Sequence, residues 1–306
     1  MMPKLCSVAP WFRSVLGVGA LLVILEVANS TAVFCLKALR RIESLPATAS
    51  EFLGMLLGFC AVIAPLVLFE ILLPGTDAKR RYRAGAVFWL VSFAVIYLWS
   101  KILVKLIAWL AIEPLWVWKP GGIDGFSTAS LVMMLAIIMS IWIFDFFYYW
   151  FHRAQHHFSV LWRFHSLHHS IRGVSALNSY HHPMEEMMRF PFVTLPLLFL
   201  VRIDVQQIVF VSVFISAWGY FIHSDTRVQM GRLGDFLIAD NYYHRVHHGI
   251  SEQYHHRNFA AFLPLWDRMF GTYRRPPRDH LPDVGCRGIR SPRGVIAYLL
   301  YPLGKR

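Results

Sequence analysis

Long unbroken apolar runs fill the first half of the sequence; polar, aromatic and histidine-rich stretches fill much of the second. The first run, from about Ser14 to Leu36, follows Lys4 and Arg13 and is too long for the core of a signal peptide. It predicts a membrane span, with Glu26 facing other helices or a polar cavity. A second span is predicted from about Phe52 to Leu73, stopped by Pro74-Gly75 and followed by the basic loop Lys79 to Arg83. The run from Ala84 to Ile112 is too long for one plain crossing, and Lys101 and Lys105 divide it. The expectation is a helix from Ala84 to Ser100 with the lysines at the far interface. Leu106 to Trp118 would then lie along the membrane surface, with Trp109, Trp116 and Trp118 at headgroup level. After the loop Lys119 to Gly122, a fourth span is predicted from about Thr128 to Trp150. Phe190 to His223 exceeds the bilayer as one straight helix and contains Pro191, Pro196, Arg202 and Asp204. It predicts a shallow hairpin, Phe190 to Val201 and then Val205 to Ile222. Val295 to Leu303 is apolar but too short to span.

Composition agrees with that reading. Hydrophobic residues make up 56% and charged residues 16% of the 306 residues. Mean hydropathy is +0.46, which is membrane-like. The net charge is +12, but the basic residues sit beside apolar spans, so they point to anionic lipid headgroups and topology control, with no nucleic acid partner. Cys6, Cys35, Cys60 and Cys286 are widely spaced and support neither a disulfide framework nor a cysteine metal site. Four crossings put the N-terminus, the Lys79–Arg83 loop and everything after Trp150 on one side. That side is the more basic, although Lys37, Arg40, Arg41 and Lys119 lie opposite, so it is assigned to the cytoplasm.

The chemistry begins where the fourth span ends. His152 and His156 are four apart and share a helical face. His165, His168 and His169 follow as H-x-x-H-H, and His244, His247 and His248 repeat that spacing. One histidine alone is an ordinary surface or core residue; eight in three helix-compatible clusters point to one polynuclear metal site at a membrane helix end. Imidazole suits iron, zinc, copper and nickel, and eight ligands exceed what one zinc needs. H-E-x-x-H is absent, and a bis-histidine haem would not need triplets. A transporter would bury its ligands mid-span. A pair of redox metals at the membrane surface remains, a site that can activate dioxygen and attack a C–H bond of a lipid. A dizinc hydrolase and a metal transporter or sensor stay open as alternatives.

The segments DFFYYWFHRAQH, LWRFHSLHHS, HHPMEE, FIHSD, HRVHH and LWDRMFGTY together resemble the fatty acid hydroxylase superfamily, which includes sterol desaturases, alkylglycerol monooxygenase and ornithine-lipid hydroxylases. The resemblance covers Asp145 to Tyr273. It implies a membrane non-haem diiron enzyme that hydroxylates or desaturates a lipid, with dioxygen and a separate electron donor protein. Zinc can occupy such a site as purified. It also implies that the eight clustered histidines are metal ligands, and it adds His223 in FIHSD and His182 in His-Pro-Met-Glu. Fatty acid 2-hydroxylases carry a further histidine where this chain has Gly219, which argues against that branch.

Two ferrous ions among neutral imidazoles need negative charge nearby. Glu185, Glu186, Asp225 and Asp240 are the candidates, with Glu185 and Asp240 expected to take part in catalysis. Asp145 and the Trp266–Thr272 stretch read as structural. His157, His181, His255, His256 and His280 are expected to be bystanders. The expected architecture is all-α: a polytopic membrane helical bundle with a cytoplasmic, histidine-rich, metal-binding helical cap. Residues 1–127 would form an N-terminal transmembrane region, 128–273 the catalytic domain and 274–306 a basic tail.

Overall fold

Among the described residues, three helices are long and apolar enough to cross a membrane. They are α1 (Ala47–Leu72), α2 (Tyr82–Leu110) and α3 (Thr128–His157). A computed structural model describes residues 47–76, 82–117, 128–202, 205–226, 228–277 and 279–304. The expected first span with Glu26, the Lys79–Arg81 part of the basic loop and the Lys119–Gly122 loop lie outside the described residues.

One expectation about these helices is overturned. Lys101 and Lys105 do not divide the third apolar run; α2 continues through both to Leu110. Lysine is a good helix former, and neither Pro nor Gly interrupts that stretch. Lys101 is held by Glu51 of α1 and lies over the Tyr97 ring, 5.1 Å from its centroid. The helix stops at Ala111, whose φ is +46°, and Trp116–Val117 (β1) then pairs in parallel with Val201–Arg202 (β2). The stretch expected on the membrane surface is thus partly helix and partly a two-residue strand tied to the later hairpin.

That hairpin is built from α5 (Met184–Arg189), a π-helical turn at Phe190–Thr194, α6 (Leu195–Leu200), β2 and α7 (Val205–Ile222). Pro191 and Pro196 stand at the start of their segments, where a missing N–H costs little. Between spans and hairpin runs the main core, including Leu66, Ile141, Trp218, Phe221 and Phe262.

Short helices form the cap: α4 (Ser159–His169), α8 (Arg232–Phe236), α9 (Asn241–His247), α10 (Pro264–Met269) and α11 (Val295–Leu299). Two fully buried carboxylates fasten it to the bundle. Asp145 accepts the N–H groups of Ala261, Phe262 and Leu263 at 2.9, 3.0 and 2.7 Å. Glu70 accepts those of Ala176 and Asp225, both at 2.7 Å. A carboxylate taking several backbone N–H groups offsets much of its burial cost and fixes the chain that donates them. Phe88 of α2 stacks on Tyr298 of α11 with centroids 4.5 Å apart. The cap therefore sits where α1 ends, α2 begins and α3 ends.

Candidate metal centre

The first two histidines are the last turns of α3, so the bundle sets their position directly. Phe158 is extended, with φ −93° and ψ 122°; it ends α3 and lets α4 fold back against it. Helix α4 carries His165, His168 and His169. Helix α9 carries His244 and His247, with His248 as its C-cap. His223 directly follows α7.

These side chains form two groups, each with one nitrogen per ring lying within 4.8 Å of the others. The first is His152, His156, His165, His169 and His247; the second is His168, His223, His244 and His248. Helix geometry explains the sorting. Residues four apart are offset by about 40° around a helix, and residues three apart by about 60° in the opposite sense. His165 and His169 thus face one group while His168 turns to the other. On α9 the assignment is reversed, with His244 and His248 in the second group and His247 in the first. The repeated triplet is the local sequence solution to bridging two sites with two short helices.

Hydrogen bonds fix which nitrogen points inward. His152 Nδ1 donates to Phe259 O (2.7 Å), His168 Nδ1 to Tyr180 O (3.3 Å), His223 Nδ1 to Gly219 O (2.5 Å) and His247 Nδ1 to Arg257 O (2.9 Å). His165 Nδ1 donates to Glu185 Oε2 at 3.0 Å. A neutral imidazole that donates from Nδ1 has a bare Nε2. Burial pushes His165 down to about 3 and His223 to about 4, and holds His168, His169, His244, His247 and His248 well below the usual histidine range. These rings are therefore neutral at pH 7.

Bare nitrogens now face one another. His152 Nε2 is 3.1 Å from His165 Nε2, and His223 Nε2 is 3.0 Å from His168 Nε2. Two lone pairs at that distance repel unless a cation lies between them. His156 Nε2, His247 Nε2 and both ring nitrogens of His248 are buried with no hydrogen-bond partner, a costly state that a coordinated metal would relieve. The residues fit one metal ion in each group.

Glu185 is the carboxylate that touches a clustered imidazole among the described residues. Besides His165 it accepts Gln155 Nε2 at 2.7 Å and the His182 N–H at 3.3 Å, and burial raises its pKa. Asp240, the other carboxylate expected to take part in catalysis, holds backbone N–H groups. It is the N-cap of α9, with Oδ1 accepting from Tyr243 N at 2.9 Å and Oδ2 from Met230 N at 3.0 Å. It holds the helix that carries the third histidine cluster, and it bonds to no imidazole among the described residues. Asp225 holds the buried Arg245 and Thr76, and Glu186 holds Arg189.

His182 stands apart from both groups. Its Nε2 donates to Leu299 O at 3.1 Å and its Nδ1 accepts from Met184 N at 3.3 Å, so both nitrogens are used in tying α5 to α11. Its neighbour His181, expected to be a bystander, stacks on His168 with centroids 3.7 Å apart and approaches His165 and Glu185. The cause is local: a two-residue step before Pro183 turns alternate side chains to opposite sides, and the structure turns His181 inward. Gln155 was not singled out from sequence, although it lies three residues after His152 on the same face of α3. His157, His255, His256 and His280 are exposed and lie outside both groups.

A cavity of about 80 Å³ opens beside the first group. Trp89, Ile96 and Phe151 line its apolar wall, and Gln155, His181 and Glu185 its polar end.

Comparison with known proteins agrees with this chemistry. The family model described as fatty acid hydroxylase matches residues 137–272. An ornithine lipid hydroxylase from Rhizobium tropici is 26% identical over 57% of this chain and 52% of its own length. An alkylglycerol monooxygenase from Danio rerio is 29% identical over 52% of this chain and 35% of its own. A sterol 5(6)-desaturase from Aspergillus fumigatus is 31% identical over 44% and 38%. The chain thus spans about half or less of the length of these relatives. No solved structure matches it.

Proposed function

The chain belongs to the fatty acid hydroxylase superfamily through residues 137–272, and from that premise we propose that it is a membrane-bound, dioxygen-dependent non-haem diiron enzyme that hydroxylates or desaturates a lipid. The observation that carries the proposal is the pair of buried imidazole groups whose bare Nε2 atoms face each other at 3.0 and 3.1 Å. Nine histidines of the expected set would hold the metals: His152, His156, His165, His169 and His247 at one, His168, His223, His244 and His248 at the other. Neutral nitrogen ligands and two metals suit oxidation of an unactivated C–H bond by dioxygen, with electrons from a separate donor protein.

The chain's own residues do the positioning. Glu185 holds the Nδ1 proton of His165 and so keeps its Nε2 bare; its negative charge offsets part of the metals' charge. Gln155 holds Glu185 in turn. Backbone carbonyls of Phe259, Tyr180, Gly219 and Arg257 do the same for four other rings. Asp240, expected to be catalytic, acts here as the cap that orients α9. The apolar wall of the cavity, Trp89, Ile96 and Phe151, would exclude water and take an acyl, alkyl or sterol chain arriving sideways from the bilayer between α2 and α3. We assign the cap to the cytoplasmic side, on the excess of basic residues there, and the catalytic unit to residues 128–273.

The test is lipid profiling of membranes containing the iron-supplied protein, with His165→Ala as the control. A lipid gaining one oxygen or losing two hydrogens only with the intact protein is the expected result. An unchanged lipid profile together with metal flux across the membrane would replace the enzyme by a transporter, and ester or amide cleavage by a hydrolase.

A further inference from the structure

A second, larger cleft lies in the cap, and none of the clustered histidines lines it. Its volume is about 570 Å³. Arg172, Arg290 and Arg293 line it, and no carboxylate is among the described lining residues. The three arginines are exposed, and none has an ion-pair partner among the described residues. Other arginines of the cap do: Arg245 pairs with Asp225, Arg275 with Asp235 and Arg287 with Glu252. Three unpaired cations kept around one concavity favour an anion.

The walls are built and not loose. Ser291 Oγ donates to Ser170 O at 2.8 Å, and Ser170 Oγ donates to Leu167 O at 2.6 Å, so the basic tail is stapled to the end of α4. Arg172 lies across Gly285, where a Cβ would come within 3.1 Å of its Cγ.

The depth of the cleft identifies the source of the anion. Ala84, in its wall, belongs to the first turn of α2, where that span begins. Immediately after Arg293 comes α11, which packs on α2 through Tyr298 against Phe88. Ile296 of α11, and Leu300 and Leu303 just after it, are left outward at 76%, 53% and 78% exposure. Apolar side chains turned outward beside a span end sit in lipid, and arginines one turn away then sit among headgroups. Arginine also presents a planar fork of donors that matches phosphate oxygens.

We propose that this cleft binds the phosphate diester of a glycerophospholipid headgroup. Ser170 directly follows His169, so a bound headgroup would be fixed against the helix that carries three of the clustered histidines. Headgroup binding there does not require the reaction at the metals.

The test uses the full chain in neutral detergent, without added iron, and calorimetric titration with three probes: dihexanoyl phosphatidylglycerol, dihexanoylglycerol and inorganic phosphate. The phosphatidylglycerol should bind about tenfold or more tighter than either other probe, as charge-assisted hydrogen bonds from arginine would give. The preference should weaken with added salt. It should vanish in the triple variant R172Q/R290Q/R293Q and persist in R287Q, whose arginine lies outside the cleft. Should the triple variant fail to fold, R290Q alone, at an exposed position, should still reduce the preference several-fold. Equal binding of the two lipids, as a docking surface for an acidic protein would give, overturns the proposal. So does a preference that survives the arginine changes. Inorganic phosphate binding as tightly as the lipid would make the cleft a free-anion site and overturn the lipid assignment.

Discussion

His168 and His182 are both buried histidines of one short segment, and their hydrogen bonds give them opposite roles. His168 spends Nδ1 on a backbone carbonyl and leaves Nε2 facing another bare nitrogen, whereas His182 spends both nitrogens on backbone groups. Replacing His168 with Ala should therefore remove a ligand, lowering bound metal by about one ion per chain and activity to background, while the apolar spans still insert. Replacing His182 with Ala should leave metal content unchanged. It should lower thermal stability by about 1–3 kcal/mol through the two hydrogen bonds lost at a buried position. Elemental analysis and thermal melting on the two variants check this. Equal loss of metal from both would return His182 to the ligand set. His255, exposed and outside both groups, is the neutral reference.

Among the helices, what could be read from the sequence followed from periodicity, and what could not followed from contacts between distant segments. The three described spans and the three histidine clusters are local patterns, and α3, α4 and α9 carry them where spacing puts them. The break expected at Lys101 was a solvation argument. It failed because Glu51, fifty residues earlier, is the lysine's partner. Asp240 was expected to take part in catalysis because two ferrous ions among neutral imidazoles need negative charge nearby. Its Oδ1 bond from Tyr243 N makes it the cap of α9, and its second bond, from Met230 N to Oδ2, depends on a turn that no spacing reveals. Helix α9 has only seven residues, too short to persist without tertiary support, so its cap bears directly on the metal site. Asp240→Ala should cost about 1–2 kcal/mol of stability. It should also weaken metal retention in a way that excess iron restores, because the ligands remain and only their helix is loosened. His247→Ala, which deletes a ligand, should not be restored. Titrating iron into both variants separates the two cases; failure of excess iron to rescue Asp240→Ala would mean that the carboxylate acts at the metals themselves.

The bundle and the cap share one polarity. Chain direction alternates through α1, α2 and α3, and the ends that meet the cap are the last turn of α1, the first of α2 and the last of α3. Glu70 in the last turn of α1, Phe88 near the start of α2 and Asp145, about three turns before the end of α3, fasten the cap, so the metal groups, the phosphate cleft and the tail all lie on one side of the apolar slab. Which side that is depends on charge. The cap-side segments after Trp150 contain most of the arginines, and short basic segments resist translocation, so the cap is expected in the cytoplasm, where a reductant for the metals is available. Ser251 suits a test, because it is partly exposed at the start of a single 3₁₀ turn and belongs to neither histidine group. With Cys6, Cys35, Cys60 and Cys286 first replaced by Ser, Ser251→Cys should resist a membrane-impermeant maleimide added to intact cells and react once the membrane is opened. Efficient labelling in intact cells would place both metal groups on the outer face. Electron supply would then have to come from outside the cytoplasm, while the arginine cleft would still face headgroups, because its depth is set by α2 and α11 and not by the side they occupy.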